Sequence, residues 1–241
     1  MKHPPEIEVV RVDFGAYPSA SRLNHKIPKD SPLLHATLDI RWDVRDPAVA
    51  VQRFEWALAD FSPSFKSHEC RGPEAYHVVP GAGEDGSGAG AAPQPFDAGL
   101  ALAHLIEHVV IDFACAMTDQ KRCSGITAAH RTIPGRYDLL VESPDREVGA
   151  CCLGLALSVV ASAVANGSVP GEAERDILRA GRLAYARRGL SLLAPELSRA
   201  LGWTEARAEK ALRALKDVGY LSELSYTVNF SGVSDFRVSS C

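Results

Sequence analysis

Residues 150–165, ACCLGLALSVVASAVA, run for 16 residues without a charge. A helix that crosses a bilayer needs roughly 20 apolar residues. This run is shorter, rich in Ala, Gly and Ser, and stops at Asn166-Gly167, so it reads as a core helix that the rest of the chain must bury. A second apolar run, Phe96 to Met117, also has helical character. Alternating segments supply a sheet for both helices to cover. Ile7 to Phe14 (IEVVRVDF) and Leu33 to Trp42 (LLHATLDIRW) have strand periodicity, with Leu34, Ala36, Leu38, Ile40 and Trp42 on one face. Tyr137 to Glu142 (YDLLVE) is a third strand, ending at Ser143-Pro144. Pro47 to Phe61 starts on a proline, and its Val51, Phe54, Leu58 and Phe61 recur at helical spacing. The expected fold class is α+β, an N-terminal sheet with long helices packed on one side.

Composition changes after Asn166. From Pro170 onward 11 Lys and Arg stand against 9 Asp and Glu, and the remainder carries 15 against 21. We therefore expect a front domain over 1–168 and a separate module over 169–241. The module reads as three helices, Ala173 to Arg188, Pro195 to Leu201, and one capped by Thr204 and closed by Gly219. Tyr220-Leu221 and the alternating residues Leu224 to Val238 supply two β segments, a hairpin with a turn near Ser231-Gly232. Three helices and a hairpin make a winged helix-turn-helix pattern. Residues 81–95 (GAGEDGSGAGAAPQP) read as a flexible loop.

The 241 residues are 46% hydrophobic and 23% charged, which excludes disorder as the general state. A formal net charge of −4 excludes polyanion binding by bulk charge. None of the six cysteines is spaced Cys-x-x-Cys and two are adjacent, which argues against a zinc ribbon and a disulfide framework. The start, Met1-Lys2-His3-Pro4-Pro5-Glu6, lacks a signal-type apolar segment. A cytoplasmic protein with reduced thiols and no membrane partner is expected.

The sharpest chemical signal is His104-Leu105-Ile106-Glu107-His108. On a helix, residues four apart share a side, so both imidazoles can take adjacent corners of a zinc tetrahedron. Glu107 lies next to them as a candidate general base, the order found in inverted zincin motifs. A third ligand must come from elsewhere, and three polar groups in an apolar helix are costly unless a metal or a network satisfies them.

HLIEHVVIDF (104–113) resembles the helix of the N-terminal domain of cyanophycin synthetases. Three further segments fit in order: Ser67-His68-Glu69-Cys70-Arg71-Gly72, His130-Arg131-Thr132 followed by Pro134 to Glu142, and Glu147-Val148-Gly149. The similarity spans roughly residues 8–165. It implies an α+β domain that, in some members, resembles a metallopeptidase and cuts an Asp-Arg polymer. The 241 residues leave no room for the family's polymerase domains, so a chain that does not itself polymerise is expected. Matching positions imply His104 and His108 as ligands of a Zn2+ ion, Glu107 as base and Glu142 as third ligand, with Glu147 the fallback. Asp112 stands where the family has Glu, and the 81–95 loop replaces an expected Gly-Gly-Phe stretch.

The expected function is zinc-dependent peptide hydrolysis, with Arg131 holding a substrate carboxylate or oxyanion, or else forming a salt bridge. His68 and His130 are candidate partners behind the ligands. The rival is a regulatory protein with a metal- or peptide-sensing front domain. Its third tail helix would contact DNA through Arg207, Lys210, Arg213 and Lys216. Glu205, Glu209 and Asp217 interleave with these cations, so a solvated face or a module for self-association accounts for them too. A front domain serving only as a scaffold is a third reading.

Overall fold

The computed structural model describes residues 4–43, 46–59, 96–166 and 171–222. These build a mixed α+β fold with a four-stranded antiparallel sheet and seven helices. The predicted loop 81–95, the Ser67–Gly72 segment with His68 and Cys70, and the predicted hairpin 224–238 lie outside the described residues.

The elements follow in the order β1 (Glu6–Ala16), α1 (Ala20–Leu23), β2 (Pro32–Arg41), α2 (Pro47–Ala59), α3 (Ala98–Thr118), β3 (Gly125–Ala129), β4 (Arg136–Glu142), α4 (Arg146–Asn166), α5 (Glu172–Ala186), α6 (Ala194–Leu201) and α7 (Glu205–Asp217). The expected strands over 7–14, 33–42 and 137–142 and the six expected helices appear within a few residues of their predicted limits. Two elements were not anticipated: the single turn α1, and β3, whose GITAA sequence is too short and small for a strand signal. The sheet order is β1-β2-β4-β3, which leaves β3 at an edge.

Alternation decides which side of the sheet each residue serves. Leu34, Ala36, Leu38 and Ile40 of β2, and Tyr137, Leu139 and Val141 of β4, are buried in the main core with α3 and α4. The opposite face is polar over much of its area. At one end Ala20, Ile27 and Leu33 form a small cluster with Tyr17, Ile126 and Leu140.

Helices α3 and α4 are each long and apolar enough to cross a membrane, and here both are mostly buried within the fold. Asp97 caps α3, its Oδ1 accepting from Leu100 N at 2.9 Å and from the Tyr137 hydroxyl at 2.7 Å. Gly99 allows this approach, because a Cβ there would collide with the Tyr137 hydroxyl. The start of α3 is thereby pinned to β4.

The tail helices dock on the same framework. A Cβ on Gly181 of α5 would lie 2.8 Å from Met117 Cε of α3, so glycine admits the methionine. Leu192, Leu197, Ala208, Leu212, Leu215 and Tyr220 belong to the same continuous core as the sheet and α3. The change of composition near residue 168 therefore does not interrupt the packing of the described residues.

Candidate functional site

Helix α3 passes over edge strand β3 and carries the whole His-x-x-Glu-His motif. His104 and His108 stand one turn apart, with ring centroids 4.7 Å apart and the rings inclined by 55°. Their Nε2 atoms converge to 3.1 Å. Two corners of a tetrahedral zinc site with bonds of roughly 2.0–2.1 Å lie roughly 3.3 Å apart, so the two imidazoles fit a shared cation. His104 is half-buried and His108 is 1% exposed.

Glu107 points toward β3. The Thr127 hydroxyl donates to its Oε2. Gly125 leaves room for the other oxygen, since a Cβ at that position would lie 2.6 Å from Oε1. The side chain is 3% exposed. Burial pushes the carboxyl pKa up to about 7, against the pull of the Thr127 hydrogen bond. At neutral pH such a group both takes and gives a proton readily. Neither Gly125 nor Thr127 was a candidate in the sequence, because neither residue type signals chemistry without the strand pairing that sets it under α3.

Glu142 is not brought to the histidines, and strand parity gives the reason. Tyr137, Leu139 and Val141 of β4 face the core, so Asp138, Leu140 and Glu142 face the other side of the sheet. There Glu142 Oε1 accepts from Ser31 Oγ and Oε2 from Ser124 N, both at 2.8 Å. These bonds fasten the end of β4 to the segment before β2 and the entry to β3. Glu147 stands half-buried in the first turn of α4. Among the described residues, no three His, Cys, Asp or Glu side chains are arranged to hold a metal ion. The donor set seen there is thus the imidazole pair alone.

Arg131 is exposed on the turn between β3 and β4. His130, a candidate second partner for the ligands, instead sits on the outer face of the sheet, its Nε2 2.7 Å from Asp138 Oδ2. The two atoms are close but lack the alignment of a hydrogen bond. Asp138 Oδ1 accepts from the Thr37 hydroxyl at 2.7 Å and lies 2.9 Å from His35 Nε2.

Of the four tail cations, Arg207 is committed inward. Its Nε and Nη2 donate to both oxygens of Asp176 on α5 at 2.5 and 2.7 Å, and Nη2 donates to Glu172 at 2.8 Å. Its guanidinium also lies 4.8 Å from the Trp203 ring centre. Lys210 and Arg213 remain exposed on α7.

No protein-family profile matches this chain, and no curated protein is significantly similar to it.

Proposed function

We propose that the protein is a zinc-dependent hydrolase acting on peptide or polypeptide substrates, an Asp-Arg polymer among them. The observation that carries this reading is the convergence of two Nε2 atoms one helical turn apart, beside a buried carboxyl poised near neutrality. His104 and His108 would hold the ion. A bound zinc ion supplies Lewis acidity, lowering the pKa of water and polarising a carbonyl.

Glu107 does the proton work. Its carboxylate takes a proton from the attacking water, and the carboxylic acid then delivers it to the leaving amine. Thr127 fixes the orientation of that carboxyl, and Gly125 keeps the space it occupies. Burial of Glu107 raises its basicity above that of an exposed glutamate.

Metal analysis tests the reading. About one zinc per chain is expected, retained in Glu142→Gln and lost when His104 and His108 are both changed to Ala. A folded wild-type protein without metal affinity would end the proposal. Glu107→Gln should keep the metal and lose chelator-sensitive peptide cleavage.

A second reading draws on the exposed Lys210 and Arg213 of α7, which follows α6 through the left-handed Gly202 and the Thr204 cap. With residues 224–238 as a hairpin, the tail would be a winged helix contacting DNA phosphates. Salt-dependent DNA retention, weakened by Arg213→Glu, is its signature.

A further inference from the structure

Three segments of the chain meet around a polar cavity. Ser31 and Pro32 lie at the start of β2, Gln120 and Arg122 in the connection that leaves α3, and Glu142, Ser143 and Pro144 where β4 gives way to α4. The cavity they line has a volume of about 150 Å³. One water needs roughly 10–15 Å³ of such space, and drug-sized ligands occupy clefts of roughly 300–1,000 Å³. This one therefore suits a molecule of several heavy atoms, well below the size of a nucleotide.

The acidic wall is held in place before any ligand arrives. The Glu142 amide donates to Ser124 O, and its carbonyl oxygen accepts from Cys123 Sγ, both at 2.9 Å. Its carboxylate oxygens take one bond each, from Ser31 Oγ and from Ser124 N. A carboxylate has about four lone-pair sites, so each oxygen keeps one for a further donor. Ser143, 4% exposed, donates its hydroxyl to Asp145 O and can still accept. Its amide bonds Pro32 O at 3.2 Å, which joins two of the walls. A site fixed in this way loses little entropy when it is filled.

The basic wall is uncommitted. Among the described residues, neither the exposed Arg122 guanidinium nor the Gln120 carboxamide makes a hydrogen bond or ion pair. A guanidinium presents its N–H donors as a fork that matches a carboxylate. A lone anion here would meet the charge of Glu142, and a lone cation that of Arg122. A ligand with both charges satisfies both walls. We propose that this cavity binds a free α-amino acid with a short side chain, its carboxylate on Arg122 and its ammonium on Glu142. The amino acid carries the two charges on one carbon, which is the separation a cavity this small accommodates. The site stands apart from His104 and His108, because Glu142 faces away from them, and it does not depend on the hydrolase reading.

The test titrates L-alanine into the full-length isotope-labelled protein and follows backbone amide resonances. We expect saturable shifts at Arg122, Ser124 and Ser143. N-acetyl-L-alanine, which lacks the ammonium, and L-alaninamide, which lacks the carboxylate, should each bind about tenfold or more weakly. Arg122→Ala, a change at an exposed position, should weaken L-alanine by a similar factor, as should Glu142→Gln. Absence of saturable shifts well beyond millimolar L-alanine, or shifts confined to other residues, overturns the proposal. So does N-acetyl-L-alanine binding as tightly as L-alanine, which would mark a simple anion site, or an Arg122→Ala protein with unchanged affinity.

Discussion

The Thr127 hydroxyl on β3 donates to the Glu107 carboxyl on α3, so the acidic residue of the motif is held by the edge of the sheet. This pairing places a titratable group inside the fold, and its ionisation is linked to stability. The folded pKa of about 7 lies above the ordinary 4.5 of a glutamate carboxyl. Between these values the folded state holds a proton that the unfolded state has released, so stability falls as pH rises through that window and levels off above it. In metal-free protein, Glu107→Gln should remove this decline and be the more stable form above pH 7, by a few kcal/mol. Urea denaturation from pH 4 to 8 checks it. Parallel curves for the two proteins would show that Glu107 does not titrate in the fold.

Gly125 has no side chain because Glu107 occupies the space. In Gly125→Ala the new methyl group would meet Oε1 at 2.6 Å and Cδ at 3.0 Å. Neither β3 nor the core-facing carboxyl can yield freely, so a loss of about 1–3 kcal/mol is expected. Thermal unfolding gives the measurement, and a variant as stable as wild type would mean that β3 shifts away at no cost.

Arg207 clamps α7 to α5 through both oxygens of Asp176 and through Glu172. Replacing it by Lys keeps the charge and loses the fork. Arg207→Lys should lower stability and Arg207→Ala should lower it further, the latter leaving buried Asp176 with the more distant Arg179, 3.6 Å away. Chemical denaturation separates this structural role from DNA contact: Arg213→Glu should leave stability nearly unchanged, and equal losses for both positions would refute the assignment.

On the outer face of the sheet, burial pushes the Asp138 carboxyl upward. The hydrogen bonds from Thr37 and His35, with the charges of His35 and His130, bring it below the ordinary value. A depressed carboxylate contributes stability above its unfolded pKa, and that contribution disappears as pH falls through the folded one. Asp138→Asn should lower stability at pH 7 and flatten the acid limb below about pH 4. An unchanged limb would assign acid sensitivity to other carboxylates.

Much of this organisation was legible in the chain. The uncharged run in α4, the alternation of β2 and β4, the Thr204 cap and the four-residue histidine spacing each announce a local structure, because period and capping chemistry act between near neighbours. Strand β3 was not legible: Gly-Ile-Thr-Ala-Ala is small and short, and it becomes a strand by pairing with β4. The role of Glu142 went astray for a related reason. Its position at a strand end was visible, and the alternation of Tyr137, Leu139 and Val141 was a usable signal of its parity. Leu140, an apolar residue on the outer face, obscured that signal until the cluster with Ile27 and Leu33 accounted for it. Arg207 looked like its three basic neighbours, and only the approach of Asp176 from α5 sets it apart.

The sequence alone determined every described helix but the single turn α1, three strands and the convergence of His104 with His108, since each depends on residues within about one turn or one strand of each other. Tertiary structure decided which face of the sheet each carboxylate occupies, that Glu107 rests against Thr127 and Gly125, and that Cys123 meets the Glu142 carbonyl at the end of β4. Those outcomes depend on how strands register and how α3 lies across them, which no local pattern encodes.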